Sequence, residues 1–520
     1  MRTKSAIRNS IFSIIQKIVE AVLAFIYRTI FIQILGITYL GVNGLFTDIF
    51  SVMSLMELGV SSSIVFLLYK PLAQNNIEEV KTYMKFYANM YRIIAIAITI
   101  IGIALIPFLP YIVKTDIPDI VPIYILTLLG TVATYVFAYK RSIIEADQKA
   151  YYNSINYSIF NIINTIARII VLLITKNFLL CLGVTVVTSL LANVEISIRA
   201  NKLYPYLKDK NVKKLTKEQR NEIVKRMKAI MMHKIGNIVI NSTDNIIIST
   251  FISITTVGLF SNYSLIINLI YTTVSLIFVS ITSSVGNLKV DTTSEYSEIV
   301  YNRILLLNFF MYFIICTTLW CVFNQFISVW IGDEYILSPL IVGLVITKLY
   351  VTGMRNTPVT FINSSGLNYN SRFKPIAEAL INLIISIIGV KILGLAGVII
   401  GTILSYILCS VWIEPVILYK YWFKKRATQY FIKYCFFALI TIISAVAVNY
   451  ICSKIVINGW AGIIVKSMVA VVMSLVIFIL LFFKTEEFKY YVSMVKQIIS
   501  NVTKKIKEKK KREYDGKRIS

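Results

Sequence analysis

The sequence predicts an all-α polytopic membrane protein with about 14 transmembrane helices. Three observations lead to this fold class: 57% of the 520 residues are hydrophobic, the mean hydropathy is +0.73, and only 15% of the residues are charged. The apolar residues occur in runs of about 20, which is the length that a helix needs to cross a bilayer. The formal net charge of +27 must therefore lie in loops and tails.

The apolar segments follow one another closely along the chain. The first begins after Arg2, Lys4 and Arg8; it is too long for a signal peptide and no A-x-A-like cleavage site follows it, so it is predicted to be an uncleaved anchor. The predicted spans cover residues 10–34, 40–68, 87–113, 121–140, 152–175, 178–198, 229–250, 257–284, 302–330, 336–362, 375–393, 395–419, 430–452 and 460–483.

Lys and Arg are concentrated in alternate connections between these spans. One side holds both termini, the loops at 70–85, 140–149, 289, 372–374 and 420–433, and a basic run at 199–228. Because positive residues favour the cytoplasm, both termini and this run are predicted to be inside. The hydrophobic flanks of the run exclude a soluble nucleic-acid-binding domain, and the Lys-rich tail at 484–520 is expected to contact anionic membrane lipids.

A short sequence similarity within the chain, called the echo here, predicts two similar halves. Residues 43–46 read NGLF after the first span, and residues 257–260 read VGLF after the seventh. With an even number of spans between them, the echo predicts two six-helix bundles, residues 1–198 and 229–422, joined by the linker 199–228. Two additional helices (423–483) and the basic tail (484–520) follow. Thr216 and Gln219 have the spacing of a capping box, so a helix should begin in the linker and continue into span seven.

Four predicted spans carry polar stripes at helical spacing. Because ionisable groups are costly against lipid, these stripes should face a protein interior or a watery cavity. The stripes are Lys17, Glu20 and Arg28 in span one, Asn153, Tyr157, Asn161, Asn164 and Arg168 in span five, His233, Asn237, Asn241 and Asp244 in span seven, and Lys348, Thr352 and Arg355 in span ten.

The cations of these stripes lie at successive depths, which suggests a path for an anion, above all a phosphate. The predicted binding residues are Arg28, Arg168, Lys348 and Arg355, with Lys17, Lys234, Asn161 and Asn164 beside them. The alternative is that these groups only pair across helices and hold the bundle together. Glu20 could form such a pair with Lys17 or Arg28. The stripe of span ten carries no acid, so this alternative fits it less well.

Acidic groups within the spans are candidates for coupling transport to a proton or sodium ion. The spans hold Glu20, Asp48, Glu57, Glu195, Asp244 and Glu414, with Glu378 near an inner end. The candidates are Glu20, Asp48, Glu57 and Asp244, with Glu57 and Asp244 preferred, together with the single histidine, His233. No Walker A, HExxH or GxSxG motif is present, which argues against an ATPase or a hydrolase. The sequence therefore predicts no organic cofactor and no metal site.

The region from Arg28 to Gly41 reads RTIFIQILGITYLG, and Glu57-Leu-Gly59 follows. This R-x-x-F-x-x-x-L-G-x-x-x-L-G pattern resembles the polysaccharide-repeat-unit (oligosaccharide) flippases of bacteria, Wzx type. That family belongs with the lipid II flippases and the MATE drug exporters in one transporter superfamily. The resemblance implies two bundles in a V around a central cationic cavity, with Arg28 as a cavity residue.

The resemblance also implies a function. Such a protein moves an undecaprenyl-diphosphate-linked oligosaccharide across the bacterial inner (plasma) membrane by alternating access, for cell-surface polysaccharide such as capsule. A polysaccharide polymerase and the chain-length machinery are the protein partners that this function implies, and nucleic acid is not one.

Three alternatives remain open. A MATE-like multidrug/cation antiporter should have acids dominating its cavity, whereas the stripes here carry more cations. A membrane polysaccharide polymerase or ligase would be an enzyme, and the short outer connections argue against it. The third alternative is a scramblase without ion coupling.

Overall fold

A computed structural model of the chain consists of helices and their connections. It describes residues 2–57, 60–113, 115, 117–209, 212–213, 215–497 and 500, with side chains from residue 19 onward apart from positions 56, 62, 222, 225–226, 228–239, 241 and 290.

The α-helices of the described ranges follow the apolar segments in chain order. They are α1 (Arg2–Leu35), α2 (Ile37–Met53), α3 (Val60–Ala73), α4 (Ile77–Leu105), α5 (Leu109–Ile112), α6 (Ile120–Tyr135), α7 (Lys140–Ala146), α8 (Tyr151–Thr175), α9 (Phe178–Leu203), α10 (Lys217–Phe251), α11 (Ile254–Asp291), α12 (Ser294–Ile331), α13 (Pro339–Met354), α14 (Asn356–Ser365), α15 (Lys374–Leu393), α16 (Leu395–Ser405), α17 (Val411–Leu418), α18 (Thr428–Ser453) and α19 (Gly459–Phe482).

Among the described residues, nine helices are long and apolar enough to cross a membrane, or ten when the bent pair α6 and α7 counts as one span. The chain is therefore an all-helical, multi-pass membrane protein. Each predicted segment overlaps a helix or a broken helix. The count is lower than predicted partly because some segments are divided: segment 40–68 breaks between α2 and α3, and segment 336–362 breaks between α13 and α14 at Arg355.

The capping box predicted at the start of span seven is confirmed. The Thr216 hydroxyl accepts a hydrogen bond from the Gln219 backbone N–H at 3.2 Å, and the Gln219 side chain accepts one from the Thr216 N–H at 3.0 Å. These bonds satisfy two of the N–H groups at the helix start. As expected, α10 then runs without interruption from the linker into the seventh apolar segment.

The motif from Arg28 to Gly41 forms the turn from α1 to α2. Phe31 is fully buried and packs edge-on against Phe178, with ring centroids 5.2 Å apart. Gly36 separates the two helices with a φ of +83°, a backbone conformation that favours glycine. The first leucine-glycine pair of the motif therefore ends α1, and the second lies within α2.

The regions around the two similar motifs, NGLF at 43–46 and VGLF at 257–260, contact each other through glycines. A Cβ added at Gly41 of α2 would collide with the carbonyl oxygen of Ile254 in α11, and one added at Gly258 of α11 would collide with the carbonyl oxygen of Ile37. One helical turn further on, Gly44 faces the Val257 side chain. The backbones of α2 and α11 thus cross at a distance that excludes side chains.

The chain divides into two compact units. Unit 1 comprises Met1–Leu269, Trp330–Leu344 and Ser371–Ser410; unit 2 comprises Ile270–Val329, Val345–Asn370 and Val411–Ser520. The arrangement of two six-helix bundles stays a prediction.

The predicted tail begins with a helix. Residues 486–497 are helical, and the Tyr491 hydroxyl donates a hydrogen bond to the Arg303 carbonyl oxygen of α12 at 3.0 Å. The Arg303 guanidinium lies 3.8 Å from the ring centroid of Tyr490. The Lys-rich stretch 504–511 lies outside the described residues.

Candidate anion-binding site

Arg28 lies half-buried on α1 and is held by neutral groups. In the described part of the chain it donates to the Ser261 hydroxyl at 2.8 Å and to the Asn262 side-chain oxygen at 3.1 Å, both on α11, rather than to Glu20. These acceptors fix the guanidinium without neutralising its charge. The side chain therefore keeps a full positive charge among helices, which favours an anionic partner.

Arg168 of α8 contacts Tyr27, which precedes Arg28 in α1. It donates to the Tyr27 hydroxyl, and its guanidinium carbon lies 4.2 Å from the centroid of the Tyr27 ring. Its Nε is buried and has no hydrogen-bond acceptor among the residues that the structure describes. Arg168 thus contacts Tyr27, the residue that precedes Arg28 in α1, and one N–H group of Arg168 is left for another acceptor.

Arg355 has an acidic partner that the sequence did not reveal. Its Nε and one terminal nitrogen donate to the two carboxylate oxygens of Glu414 on α17, at 3.2 Å and 2.8 Å. The side chains are 16% and 3% exposed, so this is a buried bidentate ion pair within unit 2. The spacing of span ten could not indicate this acid, because it comes from a helix that begins 56 residues later. Lys348 lies half-buried on α13.

Asn161 and Asn164 of α8 line a cavity of about 270 Å³ in unit 1. Asn164 accepts a hydrogen bond from the Thr188 hydroxyl at 3.1 Å. The same cavity is lined by Arg141, which donates to Asn193 at 3.1 Å and was not predicted as a site residue. The sequence places Arg141 in a basic connection, where its charge was interpreted as a topology signal.

Arg141 belongs to a polar network that joins three helices. It also donates to Asn156 of α8 at 2.8 Å, and Asn156 in turn donates to Glu195 of α9 at 2.7 Å. Glu195 forms an ion pair with Arg199 one turn later. Glu195, the acid of this network, is thus paired with Arg199, while Arg141 donates to the side-chain amide oxygens of Asn156 and Asn193.

The candidate coupling acids lie in unit 1 and are hydrogen-bonded. The Thr402 hydroxyl contacts both oxygens of Asp244, at 3.2 Å and 3.1 Å, and Asp244 is 4% exposed. The next residue of α10, Asn245, donates to Asp48 of α2 at 2.6 Å. Asp244 and the residue that donates to Asp48 are therefore neighbours on α10, although the sequence singled out the two carboxylates separately.

Of the remaining predicted residues, two acids have described side chains and three basic residues do not. Glu57 accepts a hydrogen bond from the Tyr91 hydroxyl at 2.9 Å, and Glu20 lies half-buried on α1. The side chains of Lys17, Lys234 and His233 lie outside the described part of the structure, so their roles stay predictions.

The fold is that of known membrane transporters. The structure of the lipid II flippase MurJ, in an inward closed conformation, matches with a TM-score of 0.72 at 15% identity, covering 91% of this chain and 99% of that one. The chain has the fold of the MOP superfamily. An inward-facing MATE multidrug resistance transporter of that superfamily matches with a TM-score of 0.61 at 14% identity, covering 75% and 92% of the two chains.

Another solved structure with this MOP fold is a mutant of the MATE transporter VcmN from Vibrio cholerae, which matches with a TM-score of 0.54 at 12% identity over 81% of this chain and 98% of that one. No protein-family model and no curated protein matches the sequence. The solved structures with which this chain shares its fold are thus of multidrug transporters and a lipid II flippase.

Proposed function

We propose that this protein is a flippase that moves undecaprenyl-diphosphate-linked oligosaccharide repeat units from the inner to the outer leaflet of a bacterial plasma membrane. The proposal is carried by two arginines, Arg28 and Arg168, of which Arg168 contacts Tyr27, the residue that precedes Arg28 in α1. In the described chain their hydrogen bonds go to neutral groups. A diphosphate supplies the anionic oxygens that these donors lack, whereas a cationic drug would be repelled.

The proposed mechanism is alternating access in a protein with about fourteen spans, two six-helix bundles and cytoplasmic termini. The diphosphate binds the guanidinium groups of Arg28 and Arg168, and Asn161 and Asn164 offer amides to the sugars. Asp48 and Asp244 are the proposed sites for a coupling proton or sodium ion, since α10 carries Asp244 and its next residue, Asn245, donates to Asp48. The similarity of fold to a lipid II flippase supports a lipid-linked substrate.

The proposal is tested by deleting the gene and restoring it with variants. Deletion should cause lipid-linked oligosaccharides of one repeat unit to accumulate, as measured by mass spectrometry of extracted lipids. Each of Arg28→Gln and Arg168→Gln removes charge-assisted hydrogen bonds worth about 1.5–3 kcal/mol, so export should fall about tenfold or more. The control is Lys391→Gln, which removes one charge at an exposed helix end and should leave export unchanged.

Folding of each variant is checked by size-exclusion chromatography in detergent. Normal export by both correctly folded arginine variants would overturn the anion-binding role. A deletion strain that accumulates no lipid-linked oligosaccharide and becomes sensitive to cationic drugs would instead favour the multidrug/cation antiporter.

A further inference from the structure

A second cationic pocket in unit 1 takes no part in the proposed transport site. Its volume is about 270 Å³, near the small end of ligand pockets. Lys81, Lys85 and Arg92 of α4 line it together with Lys140, which begins α7, and Lys208, which follows α9. These five cations face one lining carboxylate, that of Asp209.

The carboxylate of Asp209 is already engaged by one of the cations. Its oxygen lies 2.9 Å from the Lys81 ammonium, which also contacts Glu78. Among the described lining residues, five cations thus stand beside one carboxylate. The lining keeps a strong excess of positive charge.

Lys140 is the most informative of these residues. It is 8% exposed, and its ammonium donates to Ser197 at 2.8 Å and to Asn201 at 2.9 Å. No acid pairs with it among the residues that the structure describes. Because a buried ammonium without a counter-charge is costly, an anion in the pocket would be strongly favoured.

One face of α4 connects this pocket to an apolar surface. Lys85, Asn89 and Arg92 line the pocket and are exposed, and they recur at intervals of four and three residues. The same face continues with Ile96, Ile100 and Ile103, whose side chains are 59%, 63% and 56% exposed. In a membrane protein, exposed isoleucines on a spanning helix lie against acyl chains. The cations therefore end where a lipid-facing stripe begins.

We propose that this pocket binds the phosphate headgroup of an anionic glycerophospholipid, whose acyl chain lies along the isoleucine stripe of α4. The cations alone would suit any phosphate. The continuous isoleucine stripe selects the lipid, because a soluble phosphate would gain nothing from it. The inference is independent of the substrate proposed for transport.

The test measures binding to the detergent-solubilised full-length protein by native mass spectrometry. The probes are phosphatidylglycerol, phosphatidylcholine and glycerol 3-phosphate. The variant Arg92→Gln/Lys208→Gln removes two exposed charges of the pocket and should bind phosphatidylglycerol about 25-fold more weakly, at about fivefold per charge. The control Lys202→Gln/Lys217→Gln removes two exposed charges from the same basic region outside the pocket and should bind within about twofold of wild type.

The apolar part has its own variant. Ile96→Ser/Ile100→Ser should weaken phosphatidylglycerol binding and leave the weaker binding of glycerol 3-phosphate unchanged. The proposal is overturned if the pocket variant and its control bind phosphatidylglycerol equally, or if phosphatidylcholine binds as well as phosphatidylglycerol. Equal affinity for glycerol 3-phosphate and phosphatidylglycerol would also overturn it, because the site would then be one for soluble phosphate.

Discussion

The buried ion pair between Arg355 and Glu414 should contribute strongly to stability, and a double-mutant cycle can measure it. Two charges about 4 Å apart interact by about 4 kcal/mol at an effective dielectric constant of about 20. Glu414→Gln removes the carboxylate that pairs with the guanidinium of Arg355, whose side chain is 16% exposed. Breaking a buried pair on one side costs about 3–5 kcal/mol, a large share of the total stability of a typical protein.

Removing both charges should restore most of this loss. In Arg355→Met/Glu414→Leu, apolar side chains of similar volume fill the site, and such replacements are often neutral or stabilising. The melting temperature in detergent micelles should therefore fall sharply in each single variant and return near the wild-type value in the double variant. The control is Lys425→Met, which breaks the more exposed pair with Glu298 at 2.6 Å and should change the melting temperature little.

Two results would refute this reasoning. One is a melting temperature of Glu414→Gln equal to that of the wild type. The other is a double variant that is no more stable than the single variants. Measuring export by the double variant then distinguishes a structural role of Arg355 from a role in substrate binding. If Arg355 only stabilises helices, the stable double variant exports normally; if Arg355 binds the substrate anion, that variant folds and fails to export.

Two further predictions concern unit 1. Gly41→Ala should lower the melting temperature, because the added methyl group meets a backbone oxygen of Ile254 that cannot rotate away, and overpacking costs about 1–3 kcal/mol. Thr402→Val should lower stability by about 1–2 kcal/mol, because it removes the hydroxyl that contacts both oxygens of the buried Asp244.

Each of these variants has a matched control. Gly183→Ala adds a methyl group to a helical glycine with open space around it, so it should be neutral or raise the melting temperature. Thr402→Ser keeps the hydroxyl and should be milder than the valine variant. A Gly41→Ala variant as stable as wild type, or equal effects of serine and valine at position 402, would contradict the contacts described here.

The sequence indicated the helices well, because a run of about 20 apolar residues has few alternatives to a membrane helix. The capping box at Thr216 was also readable, since its bonds connect residues three apart. Helix breaks were harder to predict: Arg355 separates α13 and α14 inside one apolar run. Contacts between distant segments could not be predicted at all. Spacing along one helix placed Arg28 and Arg168 on polar faces but could not show that Arg168 contacts Tyr27. It also gave no sign that Glu414 pairs with Arg355.

The glycine crossing of α2 and α11 offers experimental control over the conformational cycle. An alanine at Gly41 acts as a spacer that forces the two helices apart, whereas a short thiol cross-linker between cysteines placed at Gly44 and Val257 would hold them together. If these helices separate during transport, the two changes must alter the accessibility of Arg28 to water-soluble reagents in opposite directions. The cross-link should stop export, because a carrier that is fixed in one state completes no cycle, whereas the alanine only shifts the equilibrium and should slow export.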